Sequence, residues 1–156
     1  MLASLILAHN LFGAFIAEID LTADSTSEIS SPNFPGKYPR NSYFLWSVVA
    51  PSEYRIKIEF SKFDLSYCGN CECDFLIVRD GSSKESKLLG KYCSHPGSSL
   101  YTSGNRLWMK FVSALTDRQR SDSIGFKATV SRGRNSLTPL MFVLVYLFAF
   151  EYRGVT

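Results

Sequence analysis

An all-β sandwich is the fold this sequence predicts, on three observations: one strictly alternating segment, a surplus of aromatic residues, and turn residues that recur at short intervals. Tyr54, Ile56, Ile58 and Phe60 alternate with Arg55, Lys57 and Glu59, the period of two that sends one face of a strand into a core and the other into water. The 12 Phe, 8 Tyr and 2 Trp of the chain suit a pleated, half-buried surface better than a helix. Pro32, Pro35, Gly36 and Pro39, then Pro51–Ser52, Asp80–Gly81, Pro96–Gly97 and Gly104–Asn105 supply the fixed or left-handed backbone angles that chain reversals need. Short strands between such turns build sandwiches.

Taken in order, the 156 residues divide into an apolar start, 1–17, a mixed body, 18–132, and a tail, 133–156. The start, MLASLILAHNLFGAFIA, reads either as a signal peptide or as an apolar extension. It has an apolar run but no basic n-region, His9 and Asn10 interrupt it, and a cut after Ala17 would put Phe15 where a small residue is normally needed. Within the body, strands are expected at 44–49 (FLWSVV), 54–60, 74–78 (DFLIV), 106–112 (RLWMKFV) and 125–130 (GFKATV), each rich in aromatic or β-branched residues. No helical period persists there, and the apolar ends are the only helix candidates. In the tail, residues 140–150 are unbroken apolar, shorter than the roughly 20 residues of a spanning helix. The polar EYRGVT that follows does not fit a lipid-anchor signal. The tail thus reads as a weak anchor or as an unpacked end.

A length of 156 residues allows one core. The formal charge of +3 is mild and its cations are dispersed, so nucleic acid is not an expected partner. Four cysteines, Cys68, Cys71, Cys73 and Cys93, crowd one central stretch. In an exported chain this is a disulfide framework; in a cytosolic one, four soft ligands for zinc. Catalytic motifs are missing: the sequence has no HExxH, no GxSxG and no phosphate-binding glycine loop, and the body holds one histidine, His95, in a CSHPG turn. An enzyme is therefore not expected. No sequon for N-glycosylation occurs.

From Ile29 to Val130 the chain resembles the CUB domain family. The resemblance rests on segments in a fixed order: ISSPNFPGKYP, LW, the alternating strand ending FSKFDL, DFLIVRDG, LLGKYC, SGNRLWMKF and GFKA. It implies a jelly-roll-like β-sandwich of two antiparallel sheets, in agreement with the periodicity. It also implies two disulfides. For the first, Ala17 and Phe44 stand at or near the cysteine positions, so that bridge is absent, and a looser N-terminal strand is expected. The second maps onto Cys71 and Cys93, which leaves Cys68 and Cys73, the latter at a usual tyrosine position, to pair with each other.

Many family members bind calcium through three acids. The resemblance places Ser66, Asp74 and Ala114 at those positions, so only Asp74 is retained, and calcium wants six to eight oxygen ligands, several of them anionic. No cofactor and no tight calcium site is expected. Glu72 and Asp117 are the nearest substitutes for a weak remnant site, and Asp74 otherwise reads as a strand-end acid held by backbone N–H groups. The function implied is binding of an extracellular protein, secreted or on the outer face of a membrane. The second reading is a sulfated-glycan binder of the spermadhesin type, using Lys84, Lys87, Lys91, Arg118 and Arg120, although Glu85, Asp117 and Asp122 interrupt that basic set. Trp108 alternates with Leu107 and Met109, so it either packs a second face or contacts a partner.

Overall fold

The computed structural model describes residues 7–11, 14–114 and 122–134. Among the described residues ten strands form in this order: β1 Leu7–Leu11, β2 Ala14–Asp20, β3 Thr26–Ser30, β4 Ser42–Val49, β5 Tyr54–Asp64, β6 Phe75–Asp80, β7 Lys87–Tyr92, β8 Leu100–Tyr101, β9 Arg106–Ser113 and β10 Gly125–Arg134. They make a six-stranded sheet, β1-β2-β4-β9-β6-β7, and a four-stranded sheet, β3-β10-β5-β8. This is the sandwich the sequence predicts, and no described residue is helical.

Each predicted strand is present, with its limits moved by one to four residues. The largest extensions are in β5 and β10, which pair along their length with a bulge between Lys127 and Ala128. On β5 the bulge falls at Ser61, where two consecutive residues, Ser61 and Lys62, are exposed before Phe63 turns back towards the core. One extra residue in a strand shifts the faces of all that follow. That is why clean alternation stops at Phe60 while the strand continues.

Two differences come from non-local pairing. Residues 7–11 and 14–17 of the apolar start, a helix candidate by composition, are in strands, because β2 pairs with β4 and β1 with β2. Ala17, Ile19 and Leu21 face the core, so this segment is drawn into the sheet by the apolar row it completes. The other difference is direction. All pairs are antiparallel except β2–β4, which is parallel, because the chain between them crosses to the opposite sheet as β3 and returns. Parallel neighbours need such a crossover. The tail reading, anchor or unpacked end, falls on residues 135–156 and lies outside the described residues.

The core sits between the sheets. Phe126 is its centre, with Trp46, Phe60, Phe63 and Phe111 around it at centroid distances of 5.6–6.1 Å. Most of these rings meet edge to face, the arrangement that matches ring quadrupoles. Gly125 opens β10 at φ +94°, and a Cβ there would lie 1.8 Å from the hydroxyl of Ser31. That hydroxyl is buried and accepts the Phe126 N–H at 3.0 Å, so only glycine fits where β10 enters the core.

Candidate functional site

The starts of β4, β6 and β10 and the ends of β5, β7 and β9 converge at one end of the sandwich, where the residues 38–42, 64–74 and 113–114 meet. The structure brings Ser66, Asp74 and Ala114 together here, through a tyrosine that sequence reasoning missed. The Tyr38 hydroxyl donates to Asp74 Oδ2 at 2.5 Å and accepts the Ser66 N–H at 3.0 Å, while the Ala114 N–H donates to Asp74 Oδ1 at 2.8 Å. Asp74 is buried. Burial, and then the bond to Asp74, push the Tyr38 phenol well above the ordinary tyrosine range. The only sequence signal for Tyr38 is its place in the GKYP turn.

Each carboxylate oxygen of Asp74 thus has a protein donor, the Tyr38 hydroxyl or the Ala114 N–H, while the Ser66 N–H donates to Tyr38. Nearby, Asp64 accepts the Ile124 N–H at 3.2 Å. Glu72 sits in the cysteine loop, and Asp117 is outside the described residues. Among the described residues, no three His, Cys, Asp or Glu side chains gather in a metal-holding arrangement. Lys37 binds Asp122 on the surface and holds that carboxyl below its usual range.

The cysteines flank this end. Cys71 pairs with Cys93 and Cys68 with Cys73, so no free thiol is available for zinc. The first bridge joins the approach to β6 to the end of β7. Asn70 and Cys71 both have positive φ, 53° and 56°, which folds the short loop tightly enough for two interleaved bridges. His95, the turn histidine, is bonded on both sides of its ring: its Nδ1 accepts the Gly97 N–H at 3.0 Å, which leaves Nε2 as the donor to the Phe60 carbonyl at 3.1 Å. With both ring nitrogens engaged, it anchors a turn.

The basic residues separate. Lys84 follows the Asp80–Gly81 turn and lies 3.7 Å from Glu85, Lys87 and Lys91 are exposed on β7, and Arg118 and Arg120 lie outside the described residues. Lys91 reaches over the Phe75 ring at 4.0 Å. Two cations that sequence reasoning left out, Arg79 and Lys110, share the outer face of the six-stranded sheet with Lys84 and line a groove of about 370 Å³. Trp108 is half-buried on that same face and lines the groove. Alternation in FLIVRD and RLWMKFV carried this signal, since Ile77 and Arg79, and Trp108 and Lys110, have the same parity.

Comparison with known proteins agrees with this geometry. The model of the CUB domain matches residues 18–129. The chain is 38% identical to mouse Tolloid-like protein 2 over 117 residues, 74% of this chain and 11% of that protein. It is 36% identical to human cubilin over 116 residues, 70% of this chain and 3% of that protein. It therefore spans about a tenth or less of these relatives. Among solved structures, the CUB1-EGF-CUB2 region of human MASP-1/3 superposes with a TM-score of 0.64 at 25% identity, covering 72% of this chain and 43% of that one. The extracellular region of zebrafish Gpr126/Adgrg6 does so with a TM-score of 0.63 at 26% identity, covering 76% and 15%. Sequence order, sandwich topology and these matches agree: the chain belongs to the CUB domain family.

Proposed function

We propose that this chain is a non-catalytic interaction module that holds an extracellular protein partner without requiring calcium. CUB domains commonly mediate protein–protein contacts in extracellular proteins, and two disulfides suit an oxidising compartment. The observation that carries the calcium-independent reading is Asp74. It is the one acid at the three positions where the family resemblance implies acids, and its two oxygens accept from Tyr38 and from the Ala114 N–H. One carboxylate beside Ser66 and Ala114 falls short of the anionic oxygen set that calcium takes.

Isothermal titration of the full chain with calcium is the test. No heat of binding is expected at micromolar to low millimolar calcium, and capture of extracellular proteins on the immobilised chain should be equal with calcium and with a chelator. Clear micromolar binding would overturn the reading. The cations around Lys84, Arg79 and Lys110 support a second reading, a sulfated-glycan binder. That reading requires retention on a heparin column with steep salt dependence.

A further inference from the structure

The six-stranded sheet has an outer face whose side chains do no work for the core. Inward positions of β4, β6 and β9, namely Trp46, Val48, Leu76, Val78, Met109 and Phe111, are all buried in the core. The register then fixes what stands outside. Ser47 pairs with Trp108 and Trp108 with Arg79; Leu45 pairs with Lys110 and Lys110 with Ile77. Tyr43 lies at the next outward position of β4, with Lys110 Nζ 4.9 Å from its ring centre. Cationic and apolar side chains therefore adjoin on β6 and β9, where Arg79 neighbours Trp108 and Lys110 neighbours Ile77, while β4 adds Leu45 and Tyr43.

Charge is divided on this face. The groove is lined by Arg79, Lys84 and Lys110 and by no acid. Glu85 touches Lys84 from the turn, and the outward acids of the same sheet, Glu18 and Asp20, lie on β2, on the far side of β4. Arg79 adds a more specific feature. Its Nη1 donates to the Ser86 carbonyl at 2.8 Å, whereas its Nε is buried and has no hydrogen-bond partner among the described residues. A buried donor without an acceptor is uncommon, and the side of a guanidinium that carries Nε is one of its two edges for a bidentate carboxylate. Arg79 is thus tethered by Nη1, and its Nε edge, closed to solvent, opens to a carboxylate only when the atoms covering it shift.

We propose that the outer face of the six-stranded sheet, centred on Arg79, Trp108 and Lys110, docks a partner protein segment that carries an apolar anchor beside an acidic residue. The anchor enters the groove over Trp108, Leu45, Ile77 and Tyr43, and the carboxylate meets Arg79 and Lys110. Trp, Tyr and Arg are the residues that most often carry interface affinity. The apolar floor selects a peptide over a sulfated glycan, which would use the cations and leave the floor uncovered. This rests on the interaction-module reading and names its surface, but none of these residues contacts Asp74, so the calcium titration and the following test fail independently.

The test selects a phage-displayed library of random dodecapeptides on the immobilised full chain. Affinities of the synthetic winners are then measured by fluorescence anisotropy. The expected winners combine an aromatic or large aliphatic residue with Asp or Glu. Their affinity should fall at least tenfold in Lys110→Glu and in Trp108→Ala, and several-fold in Arg79→Lys, which keeps the charge but loses the planar fork. All three positions face outward, and unchanged thermal unfolding of Lys110→Glu separates lost binding from lost structure. Winners without acids, winners that bind Lys110→Glu as well as the wild type, or no enrichment over that variant overturn the proposal. So does heparin hexasaccharide that binds the same face more tightly than every selected peptide, since the glycan is then the occupant. An extracellular protein retained equally by wild type and Lys110→Glu removes this surface while leaving the module reading intact.

Discussion

On the β2–β4 side of the six-stranded sheet, where the family resemblance implies cysteines at Ala17 and Phe44, the chain is held by parallel pairing and by packing of Phe44 on Trp46 at 6.5 Å. On the β6–β7 side, two disulfides close the approach to β6, and Asp74 links Tyr38 to Ala114. The register refines the first of these descriptions: Phe15, not Ala17, is the direct partner of Phe44, while Ala17 stands opposite Trp46. A flank with no cross-link is supported there by a continuous buried apolar row, Ala17, Ile19 and Leu21. Such support is thinner at a loop rich in left-handed residues with few buried apolar groups. Covalent bonds remain where packing is thin.

The contrast can be broken most directly at Trp46. Trp46→Ala should cost about 3–5 kcal/mol in urea unfolding, because it empties the space between Phe44 and Phe126. A smaller loss than that from removing a disulfide would mean that packing is not the main support of this flank. Next comes the Cys71–Cys93 bridge, with a sequence separation of 22. Replacing both cysteines by alanine should cost about 3 kcal/mol in the chain-entropy picture. The Cys68–Cys73 bridge spans a separation of 5, so the same double replacement should cost less, about 2 kcal/mol. Equal losses would show that these bridges act by shaping the native loop and not by restricting the unfolded chain.

The smallest effect sharpens the polar part of the comparison. Tyr38→Phe removes the donor to Asp74 and the acceptor of the Ser66 N–H, an expected loss of about 1 kcal/mol at neutral pH. It also alters the alkaline limb. Burial raises the folded-state pKa of Tyr38 above its ordinary value of 10.0, so the neutral phenol is favoured in the folded chain. Its contribution is complete below pH 10 and is lost as pH rises beyond that. Stability of the wild type should therefore decline above pH 10 more steeply than that of Tyr38→Phe, measured by unfolding midpoints across pH 8–11. Parallel curves would show that Tyr38 ionises freely.

The strands were legible where the two faces of a sheet differ in polarity. β5 and β9 carry the alternation openly, and β4, β6 and β10 carry enough apolar residues to be found. β3 and β7 are edge strands: β3 buries only Ile29, and no residue of β7 is fully buried, so neither has a face for periodicity to report. β8 has two residues and leaves no pattern. For the site, the resemblance marked Asp74, and clustering marked the cysteines. Tyr38 was invisible because it lies 36 residues from its acid partner. The basic residues singled out by proximity in sequence, Lys84, Lys87 and Lys91, are spread over a turn and the edge strand β7. Arg79 and Lys110 stand beside Lys84 only because β6 and β9 are neighbours.

What the sequence by itself determined is which residues face inward, since side chains alternate on any strand whatever it pairs with. It also determined that four cysteines stand close enough to be bridged. Only the tertiary structure decided that β2 runs parallel to β4, that Tyr38 reaches Asp74, and that Arg79, Trp108 and Lys110 share one surface. Those are properties of strand order and register, which depend on crossovers tens of residues long, and no local pattern encodes them.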